Sequence, residues 1–349
     1  MKKFKVLETF RFIGALTIAT GHCFHWTGNE NRFPLSFILI VDFFFVLSSF
    51  VISLQQDKKR LSIDEYLDNF FIGRTIRLLF PYMCLVVVYH IIYINLIYHQ
   101  TIGLYTWMVN LFLLFMVGLP GKLGGGTVGV AWSLGLEYWI GTIYFPIIYF
   151  LKKYFYKGVL FISIVIFIFC LGILKHYSKN FMGVGFWNYS EVPFGILRIL
   201  ISYSIGTICS IFYKKLNNKF NFKNKNFYFS LFEIIIILLI FRLYGKISYN
   251  RENEYVFPII IGILITIFSF ENGIISSILN RFSNLGKLSY SIYLIHPFFV
   301  DLLVIHKIHN LNKVIVVLYL IIVLISSWLF YYFVERKTIN LKYYFLNKK

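Results

Sequence analysis

The sequence is short of charge: Asp, Glu, Lys and Arg make up 14% of its 349 residues, against roughly 25% in an ordinary soluble domain. With 58% of the residues hydrophobic, this composition excludes a water-surrounded globule. Cysteine is scarce too. Cys23, Cys84, Cys170 and Cys209 lie in or beside apolar runs with no CxxC spacing, so they give no redox or zinc site and are read as core fillers. The start, with Lys2, Lys3 and Lys5 before an apolar stretch, imitates a signal peptide, but Arg11 interrupts it and no A-x-A site follows. A retained first membrane helix is expected. No repeat, low-complexity tract or linker is present, so residues 1–349 are expected to form a single transmembrane domain with no fused soluble domain.

What is abundant is apolar length. Crossing a hydrocarbon core of about 30 Å takes roughly 20 helical residues. Runs of that order occupy Leu7–Phe24, Leu35–Leu54, Phe80–Tyr98, Leu104–Leu119, Ala131–Leu151, Val159–Leu174, Phe194–Tyr213, Phe229–Tyr244, Phe257–Phe270, Leu288–Ile305 and Val314–Phe333. The fold class is therefore all-α, a polytopic membrane helix bundle.

A net charge of +19 suggests nucleic acid, but the 34 Lys and Arg residues sit almost entirely between the apolar runs, where membrane topology accounts for them. They concentrate at the N-terminus, Lys58–Arg77, Lys152–Lys157, Lys214–Lys225, Arg281–Lys287 and Arg336–Lys349, all expected on the cytoplasmic side. Three full crossings between Arg77 and Lys152 would put those two clusters on opposite sides. Leu104–Leu119 is the shortest of the three, carries Asn110 and leads into the Gly-rich stretch Gly118–Gly129, so it is expected to be re-entrant or interfacial. About ten spans remain, with both termini cytoplasmic.

Ionisable groups inside a membrane are functional candidates by default. Arg11 and His22 are 11 residues apart, about 1100° of helix rotation, so they share one stripe within about 20° and lie roughly 16 Å apart along the axis. A snorkelling Arg and an interfacial His are the plainer alternative. His25 could suggest a metal pair, but no Asp, Glu or Cys completes a set, and no metal is expected. Arg74 and Arg77, at i and i+3, would face the same way and could grip phosphate oxygens, or could be stop-transfer cations at lipid headgroups. In WSLGLEYW, Trp132, Ser133 and Glu137 begin a span from outside to inside. Glu137 is there either a base or imidazole-orienting acid, or a helix-start acid favoured by the dipole. His296 lies near the middle of its span before Pro297, as part of a site or as a buried His bonded to a neighbouring helix.

In order along the chain these residues resemble the acyltransferase-3 family of membrane acyltransferases. Its opening pattern of an acid, Arg and a later His is met by Glu8, Arg11 and His22, with Glu where Asp is usual. VDFFFVLSSFVIS, Val41–Ser53, resembles the second helix, with Ser49 where Gly is expected. Arg74, Arg77, Pro81 and Tyr82 match the Arg-x-x-Arg segment. WSLGLEYW resembles WSLSVE, GKLSYSIYLIHP the late helix, and FVERK the closing motif at Glu335 without its usual Pro.

The resemblance implies an O-acyltransferase that moves an acyl group, most often acetyl, from acyl-CoA to a hydroxyl of an extracytoplasmic glycan such as capsule or O-antigen. It implies a multi-pass protein of a bacterial inner or plasma membrane whose partners are membrane lipid, a glycan or lipid-linked glycan and possible polysaccharide-assembly proteins, with no nucleic acid. On this reading His22, Glu137 and Ser133 are catalytic and Arg11, Arg74 and Arg77 hold acetyl-CoA. Trp132, Trp187 and His296 would contact substrate. Trp187, with Phe186 and Tyr189, forms the densest aromatic group of any expected outer loop; an interfacial belt is the alternative for it. Functions of another class are a lipid-linked glycan carrier or flippase, or a non-catalytic subunit of an export complex. Transporters commonly show paired broken helices in internal repeats, and no such symmetry is found here.

Overall fold

A computed structural model describes residues 4–57, 61–97, 99, 101–117, 128–177, 192–219, 226–247, 251–308 and 311–347. Among these residues there is no strand. Helix α1 spans Lys5–Trp26, and α2, Ile40–Gln56, follows a 3-10 turn at Leu35–Leu39. Helix α3, Ile63–Arg74, starts at a capping box in which Ser62 Oγ accepts from Glu65 N–H at 3.1 Å and the Glu65 carboxylate accepts from Ser62 N–H at 2.9 Å. It runs without a break through a π turn, Thr75–Leu79, into α4, Phe80–Tyr89, which continues into a second π turn at His90–Ile97.

The remaining helices are α5 (Leu104–Leu111), α6 (Ala131–Tyr154), α7 (Tyr156–Tyr177), α8 (Val192–Lys219), α9 (Asn226–Ile247), α10 (Phe257–Phe268), α11 (Ile274–Leu279), α12 (Ser289–Ile305), α13 (Lys313–Phe330) and α14 (Arg336–Asn347). Among the described residues eight helices are long and apolar enough to cross a membrane. Two further helices pack among them: α1, whose first turns carry Lys5, Glu8 and Arg11, and α10, only 12 residues long. The protein is thus a multi-pass membrane protein built as an all-α bundle. Helix α5 rises about 12 Å, too little to cross, and ends where Leu113 takes a positive φ of 57° before a 3-10 turn at Leu114–Val117. The expected non-crossing segment is therefore a short packed helix.

The axis of the bundle is the α2–α8 contact. Both helices bury 61% of their apolar window, whereas α7 and α9 bury 22% and the α13 segment 17%, which leaves those three as the lipid-facing rim. Two features let α2 and α8 approach closely. A Cβ at Gly206 would collide with the Val46 carbonyl and Ser49, so only glycine fits there. Ser49, where the family pattern expects Gly, donates its hydroxyl to the Tyr203 carbonyl at 2.6 Å and lies 3.1 Å from the Thr207 hydroxyl. Across the same seam Arg198 binds Asp42 at 2.6 Å with both side chains fully buried, and Ser202 adds a hydrogen bond to Asp42 at 3.1 Å.

A second buried acid has a structural task. Glu233 of α9 accepts the N–H groups of Gly273 and Ser276, each at 3.1 Å, and so satisfies donors at the start of α11.

Candidate active site

Most of the residues singled out in the sequence line two cavities that share a wall. The larger, about 660 Å³, is lined by Glu8, Arg11, Gln56, Arg74, Arg77, Ser133, Glu137 and Tyr290. The smaller, about 200 Å³, is lined by His22, His25, Trp26, Phe37 and Trp132. Val41 and Tyr293 border both. Arg11 and His22 share a helix as expected, and the length of α1 places one in each cavity.

In the larger cavity the arginines differ. Arg77 is exposed on its wall and makes no hydrogen bond or ion pair among the described residues, although Arg11, Glu137, Glu335 and Glu8 lie within electrostatic reach. Arg11 is held loosely by Glu8 at 3.4 Å. Arg74 is buried, donates from Nη2 to the backbone carbonyl of Glu137, and lies over the Phe70 and Phe145 rings at 5.7 and 5.5 Å. Gly141 makes room for it, since a Cβ there would run into the guanidinium. Arg74 and Arg77 thus do not act as equals: the π turn at Thr75–Leu79 opens the register between them.

Glu137 sits about 9 Å along α6 from Ala131. Its carboxylate accepts from the Ser48 hydroxyl at 3.0 Å. Ser133 Oγ lies 2.5 Å from Tyr293 Oη, and Tyr293 donates to the Val130 carbonyl at 2.7 Å. Glu335 accepts from the Ser291 hydroxyl at 2.7 Å. Neither Glu137 nor Ser133 is hydrogen-bonded to His22.

In the smaller cavity the His22 ring packs against Trp26 (centroids 4.7 Å apart) and meets the edge of Phe37 at 5.0 Å. Its polar partner is His296, with His22 Nδ1 and His296 Nε2 2.9 Å apart and the rings within 5° of parallel. His296 is fully buried and does not line the cavity. His25 donates from Nε2 to the Phe33 carbonyl at 2.8 Å, which ties it to the loop after α1. Trp132 lies under the Arg198 guanidinium at 5.6 Å, so the buried Asp42–Arg198 pair backs one wall of this cavity. Trp187 lies outside the described residues.

Three contributors were not singled out in the sequence. Tyr293 hides among the aromatics of SYSIYLIHP. Asp42 and Arg198 had a usable signal, because an acid and a base inside separate apolar runs stay charged only if they meet.

Neither curated proteins nor solved structures give a significant match. A family model described as an acyltransferase domain matches residues 4–332, nearly the whole chain, and the protein therefore belongs to the acyltransferase-3 family.

Proposed function

We propose that this membrane acyltransferase moves an acetyl group from cytoplasmic acyl-CoA, held at the cation-bearing end of the larger cavity, to a hydroxyl of an extracytoplasmic glycan in the smaller one. The observation that carries this reading is the arrangement of the cavities. Underpaired guanidiniums line one, an imidazole lines the other, and a single tyrosine borders both. Guanidiniums suit phosphate oxygens because their donors match them two at a time. Arg77 and Arg11 are the groups with spare capacity, and Arg74 shapes the wall behind them. An extended pantetheine arm covers much of the roughly 16 Å of α1 between Arg11 and His22, so CoA itself need not cross.

At the far end His22 is the general base. Its Nε2 takes the proton of the sugar hydroxyl as that oxygen attacks the thioester carbonyl carbon, giving a tetrahedral intermediate. Collapse breaks the carbon–sulfur bond, and the thiolate of CoA leaves with the proton that His22 returns. An acyl-imidazole on His22 is the rival course.

Supplying labelled acetyl-CoA to inside-out vesicles that contain an acceptor glycan tests the reading. Label should enter glycan, and His22→Ala should lower that rate by a factor of about 100 or more. Wild-type turnover by His22→Ala would remove His22 from the chemistry. Glycan transport without label transfer would favour a carrier.

A further inference from the structure

The structure assigns His296 as the positioning residue that fixes which nitrogen of His22 carries the proton. The inference rests on the reading of His22 as the base, and the two can be tested apart.

The argument begins with a carbonyl. His296 Nδ1 lies 3.0 Å from the Ile292 carbonyl oxygen. A carbonyl only accepts, so Nδ1 carries the hydrogen, and a neutral imidazole then holds its lone pair on Nε2. That lone pair is 2.9 Å from His22 Nδ1. Two lone pairs cannot make this contact, so His22 carries its hydrogen on Nδ1 and keeps its own lone pair on Nε2. Only this tautomer leaves a basic nitrogen at the ring position not already engaged by His296.

The sequence reinforces the assignment. Pro297 has no N–H, so the Tyr293 carbonyl four residues earlier has no helical donor. That carbonyl also faces the His296 ring as an acceptor. The Ile292 carbonyl therefore holds the His296 proton on Nδ1, and the Tyr293 carbonyl left free by Pro297 is a second acceptor beside the ring. Because His296 is fully buried, it acts through His22 and does not touch substrate.

The test uses two amides of different reach. In His296→Gln the side chain carries its amide to the former Nε2 position and can present oxygen to His22 Nδ1–H. In His296→Asn the amide stops at the former Nδ1 position and offers His22 no acceptor. Each variant is purified, reconstituted in proteoliposomes and examined by 15N spectra of ring-labelled histidine, with His22 assigned by difference against His22→Ala.

Wild type and His296→Gln should show His22 protonated at Nδ1, with His296→Gln turning over within about tenfold of wild type. His296→Asn should show a tautomer mixture and a fall in kcat of about 100-fold, with the KM for acetyl-CoA unchanged. A wild-type His22 protonated at Nε2, or a His296→Asn protein that keeps the Nδ1 tautomer, would overturn the assignment. If the tautomer shifts in His296→Asn but turnover does not fall, the assignment of His296 stands and His22 is not the base.

Discussion

Two sets of charge within the bundle sit on either side of α2, and they are treated in opposite ways. Towards α8, Asp42 and Arg198 are fully buried, 2.6 Å apart, with Ser202 and the Ile38 carbonyl adding further hydrogen bonds. Towards the larger cavity, Arg11 and Glu8 are 3.4 Å apart with about a fifth of each side chain exposed, and Arg77 has no close partner among the described residues. A charge saturated by its neighbours has nothing left for a ligand, whereas a cation inside a bundle with spare donors is poised for an anion that arrives later. On the proposed reading the same residue type holds helices together on one side and receives substrate on the other.

Cutting the saturated pair should have the largest effect. Asp42→Ala leaves Arg198 uncompensated, with an expected loss of about 3–5 kcal/mol. Thermal unfolding of the detergent-solubilised protein should show the midpoint falling by about 10 °C or more. A midpoint near wild type would mean that the pair does not secure α2 to α8.

Arg77→Ala probes the other set. The acetyl-CoA concentration for half-maximal rate should rise about tenfold or more, while the thermal midpoint stays within about 2 °C of wild type. If stability falls and the donor response does not change, Arg77 belongs with the structural charges. The smallest change is expected from the double variant Asp42→Leu, Arg198→Met, because replacing both members of a buried pair by apolar groups of similar size is often nearly neutral, within about 1 kcal/mol here. A double variant as unstable as Asp42→Ala would show that this seam needs polarity itself.

Much of this could be read from residue order. Apolar length shows the membrane bundle, cation placement predicts that Leu104–Leu119 does not cross, and the motif series reaches the family. Residues at helical spacing were also found, since Arg11 and His22 do line their cavities from one helix. What escaped the sequence depends on contacts between distant segments or on irregular helix. His22 and His296 are 274 residues apart, and nothing local in either segment says that they meet. Arg74 and Arg77 look equivalent on a regular helix, but the π turn that begins at Thr75 gives one a backbone partner and the other an open wall. Ser49 looks like a poor substitute for Gly until Gly206 and the Tyr203 carbonyl are seen opposite it.

The wall between the cavities has a consequence for the cell that houses the protein. An enzyme that received one substrate from each side of a membrane, as proposed above, would risk becoming a hole in it, and even a narrow wet passage would let ions run down their gradients. Tyr293 borders both cavities and is clamped by the Val130 carbonyl at 2.7 Å and the Ser133 hydroxyl at 2.5 Å. Its one polar atom is thereby committed to protein groups on α6 and the turn before it. On the proposed reading the tyrosine would be an electrical insulator, and a thin acyl arm that displaced it would itself fill the gap that it made.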